Sequence, residues 1–416
     1  MLEVVSLEDA RALVRKRFGE LAREPETVAL GACAGRVIVH DLVASEGVPA
    51  FDRSTVDGFA VVADDTFGCS DALPALLELA GEVQMGAEPD CPCAPGKCVR
   101  IPTGGKVPQG ADAVVMLEYC EEYGDGTIGI ARPAAPGSNI VFENDDVKPG
   151  QVLIPEGTVL QAHHVGTLAS LGMAACDVRK RVGVGVISTG DEIVPVEETP
   201  IASQMRDVNA PVLAAAVEAC GAEAVRYPIV PDDYDALFAV VKQALGECDM
   251  VLVSGGSSAG QKDNTARVLS MLGDMLFHGV AVKPGKPTMC ADVSGQAAFG
   301  LPGHPVAAYF MFLELVRPML AASQRIGSSS AVLAEGLPSN HGRAELVAVR
   351  LEEREGRAHA VPVRGKSGLI SQLSTADGYI EIARNQEGLA AGAEVRVRLF
   401  GEVSKAAGAT RLILRC

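Results

Sequence analysis

The sequence predicts a multidomain α/β plus β protein. A central, doubly wound α/β domain is flanked by a β-rich N-terminal module and a small C-terminal β domain. Three observations predict it. From Arg181 to about residue 327, apolar runs alternate with helical stretches, which implies a mainly parallel sheet with helices on both faces. From about 45 to 145, and again past Ser328, the apolar runs are short and punctuated by Gly and Pro, as in compact β modules. At 416 residues the chain is long enough to give each part its own core.

Taken in order, Ser6 caps an amphipathic helix over residues 4–23, with Glu8 or Asp9 in its first turn. The β-like runs that follow are Gly58–Val62, Leu76–Gln84, Lys97–Ile101, Ala113–Glu118 and Thr127–Ile130. A turn-rich stretch, Asp145–Val159, leads into a helix over Gln161–Leu171 that Gly172 ends. Val182–Ser188 opens the α/β part. Asn209 then caps a helix with Pro211 in its first turn and Gly221 past its end. Glu223–Val230 is the next strand, Asp233–Leu245 a helix, Met250–Ser254 a strand and Asn264–Leu272 a helix. Ala297–Leu301 and the helix Pro305–Ala322 complete this part; Glu345–Leu351, Ala358–Pro362, Tyr379–Ala383 and Glu394–Leu399 form the last. The expected divisions are 1–45 with 145–180, then 46–144, 181–327 and 328–416.

The net charge of −17 argues against nucleic-acid binding, which needs a basic face. It leaves an anionic ligand open. Exposed charges are screened beyond about 8–10 Å, whereas one lysine about 4 Å from a phosphate gains roughly 4 kcal/mol. The N-terminus lacks the basic and apolar regions of a signal peptide, and no stretch reaches the ~20 apolar residues of a membrane span. The eleven scattered cysteines fit reduced thiols in the cytoplasm better than a disulfide framework. Cys91, Cys93 and Cys98, with Cys69 and Cys120 nearby, lack paired C-x-x-C spacing or a histidine among them, so isolated thiols fit better than zinc ligands.

Three loops carry the chemistry. Ser254-Gly255-Gly256-Ser257-Ser258-Ala259-Gly260 follows a buried strand and precedes a helix, so amides and hydroxyls point at one place beside a helix N-terminus, as suits an oxyanion. Lys283-Pro284-Gly285-Lys286-Pro287 holds two lysines on a stiff turn, and Leu301-Pro302-Gly303-His304-Pro305 is a second rigid turn. All three sit at strand ends, where such sheets bind ligands. Asp191 and Glu192 follow the first strand and point the same way; a solvated turn is the alternative. Asp263 is the N-cap of the next helix, a functional carboxylate, or both. Asp57 lies in a polar turn and Thr103 in a Gly/Pro-rich connector, either of which is compatible with a merely structural role. Acidic groups beside an anion pocket repel the ligand unless a cation lies between, which is the usual Mg2+ arrangement.

Together these segments resemble the MoeA-type molybdopterin molybdenumtransferases, the molybdenum insertases related to the gephyrin E domain. The resemblance rests on Asp52–Val61, Ile101–Gly110, Ser188–Glu192, Val253–Asp263, Lys283–Pro287 and Gly300–Ala307, in the family's order. It implies an elongated protomer in a homodimer and a central domain of the molybdopterin-binding type. It also implies a reaction that inserts molybdenum from molybdate into adenylylated molybdopterin and releases AMP in a Mg2+-dependent step. Carried residue by residue, it implies catalytic roles for Asp57, Thr103, Glu192 and Asp263. Ligand binding falls to Ser254, Gly255, Gly256, Ser257, Ser258, Gly260, Lys283, Lys286, Pro302 and Ser371, and Mg2+ contacts to Glu192, Asp232, Asp263 and Asp146. Arg53, Ser54 and Thr103 are candidates for the molybdate site. Transient contact with the preceding adenylyltransferase and with acceptor molybdoenzymes is also implied.

Two other readings stand beside it. The adenylyltransferase uses a related α/β domain, but commonly alone or with a Thr-Gly-Gly-Thr-Gly loop, whereas this chain has Ser254-Gly255-Gly256-Ser257 and two β-rich flanks. A non-catalytic molybdopterin carrier or scaffold would gain nothing from the acidic residues. Departures from the family pattern at Thr55, Val56, His304 and Asp377 remove no charged group.

Overall fold

The computed structural model describes residues 4–19, 24–255, 263–320 and 327–401. The chain packs as two units, one of Pro25–Arg179 and one of Met1–Glu24 with Lys180–Cys416.

In the unit Pro25–Arg179, six strands form one sheet in the order Ala113–Met116, Gly58–Val61, Lys97–Ile101, Ala75–Glu82, Thr127–Ile130, Cys120–Glu122. Phe59 and Val61 pack on one face with Leu77 and Ile128, and Ala60, Val99 and Ile101 on the other. Both faces are therefore buried along Gly58–Val61, Lys97–Ile101 and Ala113–Met116, as their continuous apolar runs require. Gly58 is compulsory, because a Cβ there would lie 1.9 Å from the carbonyl oxygen of Val115. Residues 25–45 and 146–179 build a smaller core around Ile38, Ile154 and Leu168.

In the other unit, Ser6 caps the helix Leu7–Phe18, accepting from the Asp9 N–H; the helix stops at Gly19, short of the expected 23. The α/β sheet runs Glu223–Arg226, Gly183–Ser188, Met250–Ser254, Gln296–Leu301, Met289–Val293, Asp274–His278. The first four are parallel, and the last two add on antiparallel. The expected strand Glu223–Val230 ends at Arg226; Pro228 has no N–H for a ladder. Asn209 is not a helix cap: it stands at the first helical position, and Asp207 Oδ1 accepts the Ala210 N–H instead. Asp207 is itself fixed by the Ser188 hydroxyl. The helix from Pro305 contains a π-helical stretch, Phe312–Val316, before Arg317–Leu320.

A second large sheet has seven strands in the order Val5–Ser6, Val280–Lys283, Ala344–Arg354, Arg357–Pro362, Ser328–Leu333, Glu394–Leu399, Gly378–Ile382. Gly378–Ile382 also pairs back onto Ala344–Arg354, so the last five strands close into a small barrel without open edges. Val280–Lys283 lies in this sheet rather than in the α/β sheet, with Lys283 opposite Glu345.

Candidate active site

The first strand of the α/β sheet in sequence, Gly183–Ser188, lies between the second and third, Glu223–Arg226 and Met250–Ser254. Chain connections diverge there, which makes the carboxyl ends of Gly183–Ser188 and Met250–Ser254 the switch point where open α/β sheets take ligands. The loops leaving those ends start at Thr189 and Gly255. Gly255 has φ 109°, and a Cβ on it would sit 2.1 Å from the Thr189 carbonyl oxygen, so only glycine lets the loops meet.

Beside that point lies a cavity of about 510 Å³. Glu192, Gly255, Lys286, Pro302, Arg343 and Ser367 are among the residues lining it. Ser254 lies behind it, buried, accepting from Asn209 Nδ2 at 2.6 Å and donating to the Pro302 carbonyl at 3.4 Å. The lysine turn is fixed by packing: Gly285 has φ 128°, and any Cβ would meet Met311 at 2.7 Å. Lys283 is engaged, donating to Glu345 Oε1 at 2.7 Å, and Glu345 Oε2 also accepts from Ser339 Oγ at 2.9 Å. Lys286 is exposed and has no side-chain partner among the described residues. The Arg343 Nε is buried without an acceptor among the described residues. The cavity therefore presents Lys286 and Arg343 as uncompensated cations.

No sequence pattern pointed to Arg343 or Ser367. They come from the C-terminal domain, on loops with no motif, and only folding brings them to the lysine turn. Ser367 Oγ lies 2.9 Å from His304 Nδ1, tying the rigid Pro302–Pro305 turn to that domain. Ser371 is on the neighbouring 3-10 helix Ile370–Thr375, exposed and outside the cavity lining; its carbonyl accepts from Ser374 Oγ. Gly256, Ser257, Ser258 and Gly260 lie outside the described residues.

The acidic residues divide by role. Glu192 lines the cavity. Asp191 Oδ1 accepts the Asp232 N–H at 3.0 Å, stapling two loops. Asp232 faces the Thr189 hydroxyl at 3.4 Å. Asp263 caps Asn264–Leu272 through the Ala266 N–H at 2.9 Å, and its other oxygen lies 3.5 Å from His278 Nε2. Burial raises the Asp263 carboxyl above its ordinary value, against the pull of Ala266 and His278. His278 is a third residue that no sequence pattern announced. Among the described residues, no three His, Cys, Asp or Glu side chains converge to hold a metal.

In the unit Pro25–Arg179, Asp57 and Thr103 are brought together by strand pairing. Gly58 is paired with Ile101, so the residue before one strand meets the turn after the other. Asp57 Oδ1 accepts from the Thr103 N–H at 2.7 Å and its hydroxyl at 3.0 Å. These two bonds, the backbone one first, hold the exposed carboxylate below its usual range. Ser54 is buried, its hydroxyl donating to the Val56 carbonyl, while Arg53 is exposed. Asp146 is an exposed turn residue whose N–H donates to Val48. Cys93 and Cys98 are buried, and burial pushes their thiols up to about 11 and about 12.

Comparison with known proteins matches this arrangement over the chain. Residues 5–172 match the MoeA N-terminal region (domain I and II), 185–322 a probable molybdopterin binding domain, and 330–400 the MoeA C-terminal region (domain IV). A putative molybdopterin biosynthesis protein of Methanocaldococcus jannaschii is 31% identical over 95% of this chain and 98% of its own length. The molybdopterin molybdenumtransferase of Bacillus subtilis is 33% identical over 91% and 90%. The crystal structure of a molybdopterin biosynthesis MoeA protein from Pyrococcus horikoshii superposes with a TM-score of 0.82 at 35% identity, covering 96% of this chain and all of that one. With its three regions in the family's order and its lysine turn at the switch point, the chain belongs to the MoeA family of molybdopterin molybdenumtransferases.

Proposed function

We propose that this protein inserts molybdenum from molybdate into adenylylated molybdopterin and releases AMP, as a step of molybdenum-cofactor biosynthesis. The observation that carries the reading is the switch-point cavity, where Lys286 and Arg343 stand uncompensated beside Glu192. Lys286 serves the substrate phosphates as a point charge and Arg343 as a fork of donors. Gly255 allows the backbone to approach closely, and Pro302 shapes the wall. Of the carboxylates assigned to the chemistry, Glu192 lines the cavity and Asp263 opens the helix after the glycine loop, and Asp57, held ionised by Thr103, serves in the catalytic set.

Mg2+ belongs to this proposal. It ordinarily keeps several waters and takes only one or two carboxylates with substrate phosphates. Glu192 in the cavity fits that donor set, with Asp232 on an adjoining loop; Asp263, already bonded through both oxygens, offers less. Bound there, Mg2+ would neutralise phosphate charge beside Glu192 and ease departure of AMP. Asp146 and Ser371 keep only the family resemblance in their favour. So do the homodimer, the cytoplasmic location and transient contacts with the adenylyltransferase and acceptor enzymes. Among the described residues, no helix is long and apolar enough to cross a membrane.

The test mixes purified protein with adenylylated molybdopterin, Mg2+ and molybdate or tungstate, and follows AMP release. Release that depends on both protein and oxyanion is expected. Tight pterin binding without AMP release would favour the carrier reading instead.

A further inference from the structure

A second cavity, of about 660 Å³, opens where the helix Leu7–Phe18, the stretch Leu313–Met319 and the C-terminal barrel meet. It shares no lining residue with the switch-point cavity. Its wall holds five arginines, Arg11, Arg15, Arg317, Arg396 and Arg398, against one carboxylate, Glu314.

That carboxylate is fully used. Glu314 Oε1 accepts the Tyr379 hydroxyl at 2.6 Å and Arg398 Nη1 at 2.6 Å, while Oε2 accepts Arg11 Nε at 2.8 Å. Glu381, behind it, pairs with the same two arginines. Two negative charges thus balance Arg11 and Arg398. Arg15, Arg317 and Arg396 have no ion-pair partner among the described residues. Arg15 and Arg396 are exposed, and among the described residues Arg396 donates only to Ser328 Oγ. Arg317 is different, being 9% exposed with an Nε that is buried and unbonded. Among the described residues, its single acceptor is the Leu399 carbonyl, at 3.5 Å. A buried charge without a counter-ion is costly, and surface charge balance does not account for one in a cavity wall already rich in cations.

We propose that this cavity is a second anion site, which takes a phosphate-bearing small molecule and supplies Arg317 with its missing counter-ion. Guanidinium forks match phosphate oxygens in pairs, and the volume lies within the range of small-molecule sites, about 300–1,000 Å³. Val14, Leu315 and Met319 offer apolar wall to whatever the phosphate carries. The site is separate from the proposed insertase chemistry and stands or falls independently of it.

The experiment uses the full chain carrying Lys286→Ala, so that the switch-point cavity contributes little. Calorimetry with inorganic phosphate, AMP and adenosine is expected to show one equivalent of phosphate or AMP bound at millimolar concentration or below, and no binding of adenosine. AMP binding more tightly than phosphate assigns the apolar wall to a nucleoside; equal affinity assigns the site to free phosphate. Arg15→Gln and Arg396→Gln, both exposed and outside the Glu314 network, should each weaken binding by about tenfold with unchanged circular dichroism. Absence of binding by phosphate and AMP, or binding that neither arginine variant alters, would overturn the proposal.

Discussion

Replacing Glu345 by Gln should tighten the binding of phosphate-bearing ligands in the switch-point cavity. Glu345 holds Lys283 at 2.7 Å, so the pair presents almost no net charge to the cavity. Gln keeps the shape and the Ser339 contact but releases Lys283 as a free cation. Two unit charges about 7 Å apart interact by roughly 2.4 kcal/mol at an effective dielectric of about 20. Screening with a length of about 8 Å reduces this to about 1 kcal/mol per phosphate charge. A doubly charged phosphate then gains about 2 kcal/mol, roughly thirtyfold in Kd. Lys286→Ala removes a charge-assisted hydrogen bond and should lose about 1.5–3 kcal/mol. Calorimetry with AMP and with molybdopterin, at low and high salt, reads both variants; the gain in Glu345→Gln should shrink as salt rises. Unchanged or weaker binding by a folded Glu345→Gln protein would refute the reasoning, and would mean that Lys283 serves only the strand pairing.

Asp263→Asn should lower turnover while keeping the helix, since Asn also caps; Asp263→Ala should further cost about 1 kcal/mol in thermal unfolding, and normal turnover in the Asn variant would leave Asp263 a cap only. Thr103→Val should raise the pH at which Asp57 protonates, because one of the two bonds that favour its ionised form is lost; carboxylate NMR titration checks this, and an unmoved midpoint would remove Thr103 from that role. Glu314→Ala should destabilise by about 3 kcal/mol, as Arg11, Arg398 and Tyr379 lose their buried acceptor. Burial pushes the Glu314 carboxyl up, but Arg11 and Arg398 outweigh it and leave it below its ordinary value. Its contribution is therefore complete above the unfolded value and lost as pH falls through the lower folded one, so Glu314→Gln should blunt the acid sensitivity seen in denaturant titrations. If Asp57 acts across a two-fold dimer, co-refolding Asp57→Ala with Lys286→Ala should restore about a quarter of wild-type turnover; no recovery, with heterodimers verified by mass, would place Asp57 at its own chain's site.

Local chemistry was legible where punctuation bounds an apolar run. Lys97–Ile101, Thr127–Ile130, Met250–Ser254, Asn264–Leu272 and Glu394–Leu399 fall where Gly, Pro or polar residues delimit them. Asn209 misled because Asp207, two residues earlier, competes for the same cap with help from distant Ser188. The antiparallel strands Asp274–His278 and Met289–Val293 were missed, since the lysine turn between them dominates the pattern and the choice of sheet is long-range. Arg343, Ser367 and His278 belong to the same class: each is placed by partners far along the chain. The π-helical stretch at Phe312–Val316 leaves no trace in a 3.6-residue period, yet it includes Glu314, the hub of the arginine network.

The membership of Val280–Lys283 in the C-terminal sheet has a consequence for exchanging parts between relatives. A fragment ending near residue 327 would retain the switch-point loops but leave this strand beside Val5–Ser6 alone, so the lysine turn would lose the rail that aims it. Grafting the C-terminal barrel of another family member would instead replace Arg343, Glu345 and Ser367 together, while the α/β sheet and its loops stay as they are. Such a graft would therefore change the barrel's whole contribution to the cavity as one block, independently of the domain that carries the glycine loop.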